Sequence, residues 1–169
     1  FSALGDEGLT ADERIDRDLA IATLKGRLVM ADWRGWQRDP LTYSGPAING
    51  IFLLFLHRLR SEQDLVDAAV TRLAQVPGVF ASGRENLDAS LSHPILVERG
   101  AGSARAAARY LREYLPGEVR DVELAERLRS AGARAAESFE EWARFLDGFK
   151  GSAHGTWVFG EERYSRILL

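Results

Sequence analysis

The side chains in this 169-residue chain that could run chemistry are three histidines, 25 carboxylates and a few serines; there is no cysteine. A zinc hydrolase helix carries two histidines one turn apart with a glutamate beside the first, so both imidazoles reach one metal and the carboxylate reaches its water. His57, His93 and His154 are far apart in sequence, and no HExxH occurs. Each has a simpler expected role. His57 ends an apolar helix, His93 precedes Pro94 at a helix start, and His154 sits in a loop between glycines. The predicted metal set within this chain is therefore none, and so is the catalytic set. A nucleophilic serine needs a strained elbow such as GxSxG, which Ser44-Gly45, Gly102-Ser103 and Gly151-Ser152 do not supply. Gly100-Ala101-Gly102 follows no strand and is not a phosphate loop. Glu140-Glu141 and Glu161-Glu162 are adjacent, so on a helix they diverge by about 100° and cannot work jointly on one substrate atom.

Two segments carry more aromatic and arginine side chains than a plain loop needs. One is Trp33-Arg34-Gly35-Trp36-Gln37-Arg38-Asp39-Pro40-Leu41-Thr42-Tyr43, the other Gly155-Thr156-Trp157-Val158-Phe159-Gly160-Glu161-Glu162-Arg163-Tyr164. Such mixtures line ligand pockets. They equally plug gaps between helix ends, with Trp33, Trp36 and Trp157 as fillers and Asp39 pairing Arg38 or capping.

The elements that position these segments read as helices throughout, because alternation at period two never lasts. Thr10 and Glu13 form a capping box that opens a first helix, with Ile15, Leu19, Ile21, Ala22, Leu24 and Leu28 recurring to a stop near Trp33. Arg34 to Pro46 reads as a loop, and Ser44-Gly45-Pro46 as the start of the next helix, since proline suits the first helical position. That helix, INGIFLLFLHRL at its core, is too short to span a bilayer and is expected to be buried. Ser61 and Asp64 open another, with Leu65, Ala68, Ala69 and Leu73 on one face and a break at Pro77-Gly78. A helix from about Val79 to Leu87 follows. His93-Pro94 begins a helix whose stripe of Ala104, Ala107, Ala108, Leu111 and Leu115 would let a neighbour approach closely. Gly100 and Gly102 weaken its first half, and Pro116-Gly117 ends it. The longest helix runs from about Asp121 to Lys150, with Leu124, Leu128, Ala131, Ala135, Phe139, Trp142, Leu146 and Phe149 on one face. A loop at 151–155, a plug of Trp157, Val158 and Phe159, and a last helix beginning after Gly160 complete the chain. The expected fold is all-α, a bundle of about six or seven helices, taken as one helical domain or subdomain over 1–169.

Composition narrows the partners. The net charge of -3 offers no broad basic surface for nucleic acid, and no segment is long and apolar enough for a membrane call. Without cysteine, disulfides and thiolate metal sites are excluded. No targeting segment is visible, so the compartment is open, with the cytoplasm slightly favoured. The apolar triplet Ile167-Leu168-Leu169 suggests a fragment of a larger helical protein.

The run DWRGWQRDPLTYSG, the IFLLFL helix, RLAQVPGVF and the terminal GTWVFGEERYSRILL, in that order, resemble the N-terminal half of a bacterial family called domain-of-unknown-function 885. The resemblance covers essentially the whole chain. It implies a parent related to zincin metallopeptidases, with zinc held by an HExxH-type helix in a C-terminal half. On that footing this chain is expected to be the scaffold and cleft wall of a zinc-dependent peptidase or amide hydrolase, inactive alone, its partners being that missing half and a peptide-like substrate. Arg38, Tyr43 and Tyr164 are then the candidate substrate-binding residues, since a guanidinium or phenol can donate to a carbonyl or oxyanion. The alternative is a non-catalytic helical interaction or scaffold module.

Overall fold

The computed structural model describes residues 5–168, all-α, with no strand among them. Leu169, the last of the apolar triplet, lies outside the described residues. The chain divides into two compact units: residues 36–157, and a smaller unit made of the chain up to Gly35 together with Val158 onward.

The smaller unit pairs α1 (Ala11–Asp32) with α8 (Glu161–Leu168). The capping box is present: Thr10 Oγ1 accepts from the Glu13 amide, and the Glu13 carboxylate accepts from the Thr10 amide. The helix stops at Trp33, as its pattern predicts. Its apolar stripe, however, is not a core. Only Val29 is buried, while Ile15, Leu19, Leu24 and Leu28 face solvent. Trp33 meets Phe159 edge-on at 5.3 Å, and the Arg163 guanidinium lies 5.1 Å from the Trp33 ring centroid. The expected plug at 157–159 therefore reduces to Phe159, because Trp157 and Val158 are exposed.

The larger unit is built on α7 (Val122–Lys150), whose Asp121 cap accepts from the Leu124 amide at 2.9 Å. Leu124, Leu128, Ala131, Ala135, Phe139, Trp142 and Leu146 are all buried, as the periodicity predicts. Trp142 is the largest fully buried side chain. It stacks on Phe80 at 5.1 Å and on Phe145 at 5.2 Å. Against α7 lie α4 (Glu62–Leu73), α5 (Val76–Asn86) and, most extensively, α6 (Pro94–Arg109). The alanine stripe of α6 is buried and the approach is close: a Cβ built on Gly132 would sit 2.6 Å from the Leu111 carbonyl oxygen. Gly100 belongs to the same packing, against Pro40 and Leu146, which explains a glycine in a helix that forms regardless. Where α6 ends, the backbone widens into a π turn (Tyr110–Tyr114) and then tightens into a 3-10 turn (Leu115–Glu118). Pro116, which has no N–H to continue the ladder, sits in that second turn.

Two boundaries differ from expectation. The 34–46 loop is mostly helical, with a short turn α2 (Gly35–Arg38) and then α3 (Leu41–His57). The rule that proline opens a helix holds, but at Pro40. Pro40 has helical φ and ψ, and Asp39 before it accepts from the Leu41 amide at 2.9 Å. Pro46 lies inside α3, where burial of Tyr43, Ser44, Ile51 and Phe55 outweighs one missing helical bond. The other boundary is the break expected at Pro77-Gly78. It falls at Ala74-Gln75, and Pro77 occupies the first turn of α5. The apolar helix α3 is also only half buried, with Phe52, Leu53 and Leu56 exposed. No helix of the described residues is long and apolar enough to cross a membrane.

Candidate functional site

Within the larger unit, three stretches that are remote in sequence are tied together at the backbone. The Arg38 guanidinium, carried by α2, donates from Nη1 to the carbonyls of Leu91 (3.1 Å) and Thr156 (3.4 Å). The Gln37 carbonyl accepts from the Asp88 amide at 3.0 Å and from the Ser92 hydroxyl at 3.2 Å. His154 N donates to Ala89 O at 2.9 Å, and Gly155 N to Ser92 O at 2.7 Å. Gly155 is obligatory here, because a Cβ would lie 2.2 Å from the Leu91 carbonyl carbon and oxygen. The 88–92 turn holds its own shape through Asp88, whose carboxylate accepts from the Ser90 amide (2.8 Å) and hydroxyl (2.6 Å). Those two bonds, with a smaller contribution from nearby His154, hold the Asp88 carboxyl below the usual aspartate range.

This clamp draws on Gln37 and Arg38 of the first over-specified segment and on Gly155 and Thr156 at the start of the second. The sequence reading did not connect them to 88–92, whose one local signal is the Asp88-x-Ser90 turn. Next to the clamp in the chain, Trp36 and Trp157 are 45% and 60% exposed, large aromatics on a backbone that cannot easily shift. Asp39 both caps α3 and pairs with Arg99 at 3.1 Å.

The three nominated binding residues sit in different surroundings. Arg38 is half-buried, with donors engaged on carbonyls. Tyr43 is a core residue, edge-on to Trp142, and its hydroxyl donates to the Trp36 carbonyl at 2.5 Å. Its present work is to fix the backbone under Trp36. Tyr164 belongs to the smaller unit, on α8, with an exposed ring.

The histidines have three separate roles. His93 caps α6: its Nδ1 accepts from the Ile95 amide at 3.1 Å, so the ring proton of its neutral form is on Nε2. His154 Nδ1 lies 2.8 Å from the Ser152 carbonyl, which can only accept, so Nδ1 is the donor there. His57 is exposed in the last turn of α3. Among the described residues no group of three or more His, Cys, Asp or Glu is placed to hold a metal ion. A zinc ion of the kind the resemblance implies does not fit these residues, and its ligands would have to come from outside them.

A family model described as bacterial protein of unknown function (DUF885) matches residues 1–169. No curated protein and no solved structure matches the chain.

Proposed function

The chain belongs to that bacterial family of unknown function over its whole length, and from this premise we propose that it is a helical scaffold forming one wall of the substrate cleft in a zinc-dependent peptidase or amide hydrolase. The observation that carries this reading is the clamp. Arg38, Gly155 and the 88–92 turn lock the backbone beside two exposed tryptophans, Trp36 and Trp157. Exposed aromatics on a rigid support are what a recognition surface needs. They offer large contact area and lose little conformational freedom on binding. The exposed half of α3 supports a further partner in the same protein, which would cover Phe52 and Leu56. In this reading the surface at Trp36 and Trp157 orients a peptide-like substrate, Tyr164 in the smaller unit is a separate candidate donor to a substrate carbonyl, and metal chemistry belongs to residues outside this chain.

The encoding frame, read past Leu169, gives the first test: an HExxH helix supports the proposal, and its absence removes it. The second test uses the full-length protein. Tyr164→Phe should lower turnover about tenfold or more and leave the melting temperature within about a degree or two, since only an exposed hydroxyl is lost. A second reading, a non-catalytic interaction module, is favoured by Arg38 and Tyr43, whose polar groups are engaged within the fold. Unchanged turnover in Tyr164→Phe, together with unchanged turnover in Trp157→Ala, would favour it.

A further inference from the structure

Away from the clamp, α3, α4 and the link between them form an open groove of about 290 Å³, lined by Leu53, Leu54, Leu59, Leu65 and Ala68 together with the polar side chains of His57, Arg60, Asp64 and Arg72. Arg60 and Leu65 also line a second concavity of about 490 Å³, whose cations are Arg58, Arg60 and Arg120. The two spaces thus share a wall, one apolar and one cationic. Each of their carboxylates has a hydrogen-bond partner, and among the described residues Glu118 alone of them is ion-paired. Glu118 pairs with Arg58 at 2.9 Å, Glu62 accepts from the Arg120 and Asp121 amides, and Asp64 accepts from the Ser61 hydroxyl at 2.7 Å. Arg72, in the groove, donates to the Gly50 carbonyl. The Arg60 and Arg120 guanidiniums are in no ion pair among the described residues. Arg58 adds a second observation. It closes α3 in the left-handed region, φ 45°, where a glycine is the ordinary choice. The Arg58 N–H donates to the Leu54 carbonyl, so the left-handed turn is the helix's own cap, carried at some cost in strain by a β-substituted residue.

We propose that this composite groove binds a small anionic amphiphile, a medium-chain fatty carboxylate, with the chain along Leu53, Leu59 and Leu65 and the carboxylate on Arg60 and Arg120. The planar guanidinium fork matches a carboxylate in bidentate geometry. The apolar groove supplies the area term that a bare anion would lack. Leu59 is 86% exposed at the groove mouth, and covering it is part of the gain. None of the groove's residues lies in the clamp, so this inference does not rest on it.

The test is a titration of the chain with octanoate, acetate and 1-octanol, followed by methyl and guanidinium NMR shifts. Octanoate should shift Leu53, Leu59, Leu65 and Arg60 and bind about tenfold or more tighter than either acetate or 1-octanol, because each of those lacks one half of the ligand. Arg60→Ala and Leu59→Asp, both at exposed positions, should each weaken octanoate about fivefold or more. Arg58→Gly separates the roles: it should leave the melting temperature equal or higher, by relieving the left-handed strain, while weakening octanoate. Equal binding of 1-octanol, shifts confined to other regions, or Arg60→Ala binding at full strength would each overturn the proposal. So would tighter binding of a short peptide ending in a free leucine carboxylate, which would assign the groove to a chain terminus.

Discussion

Two glycines of the same helix should respond in opposite directions to the same substitution. Gly132 and Gly148 both lie within α7, and in an unhindered helix Gly→Ala is worth about 0.5–1 kcal/mol of stability, from helix propensity. At Gly148 an added Cβ meets nothing within 4 Å, so that gain should appear in full. At Gly132 the same Cβ lands 2.6 Å from the Leu111 carbonyl oxygen, 3.5 Å from its carbon and 3.4 Å from Leu115 Cδ2. The near atom is backbone, at the π turn that ends α6, so it cannot rotate away as a side-chain tip would. Relief requires α6 and α7 to separate, which loosens the alanine interface along its length. Overpacking of this kind costs about 1–3 kcal/mol. Set against the propensity gain, Gly132→Ala should be destabilised by roughly 0.5–2 kcal/mol. For a chain of this length that is a fall of about 1–8 °C in melting temperature, against a rise of about 1–4 °C for Gly148→Ala. Urea unfolding followed by far-ultraviolet circular dichroism measures both. If Gly132→Ala is as stabilising as Gly148→Ala, the close crossing of α6 and α7 is wrong.

Trp142→Ala should cost about 3–5 kcal/mol, since it empties the centre of the aromatic cluster with Phe80 and Phe139; a loss under about 1 kcal/mol in denaturant unfolding would contradict a core position. Arg38→Ala should leave helix content unchanged but speed amide exchange at His154 and Gly155, whose acceptors lie in the turn that Arg38 ties down, and unaltered exchange there would mean the clamp holds without its guanidinium. Because Asp88 has a depressed pKa in the folded chain, its contribution to the 88–92 turn is present at neutral pH and lost as pH falls through that depressed value. Ser90→Ala should therefore move the Asp88 pKa upward and make the turn open at a higher pH on acidification; a carboxylate NMR titration with unchanged Asp88 pKa would refute the assignment.

Much of the fold was legible because helices are specified locally. Thr10-x-x-Glu13, Ser61, Asp121 and His93-Pro94 each satisfy backbone donors within a few residues, so they mark helix starts whatever lies elsewhere. The α7 stripe at three- and four-residue steps likewise identifies its buried face, Trp142 included. Family membership was legible from the segments around 33–44 and 155–168. Other outcomes depended on partners distant in the chain. Periodicity marks an apolar face but not what covers it, so the α1 stripe and half of α3 read like core and stand in solvent. Two prolines competed to open α3, and Pro40 prevailed because Asp39 beside it caps the first turn while Tyr43 and Ser44 are needed inside. The clamp was least visible of all. Its bonds are mostly to backbone carbonyls and amides, which every residue possesses, so no side-chain type announces that Arg38, Leu91 and Gly155 meet. Only the packing of α5, α6 and α7 brings the 36–39, 88–93 and 153–156 backbones within hydrogen-bonding reach of one another.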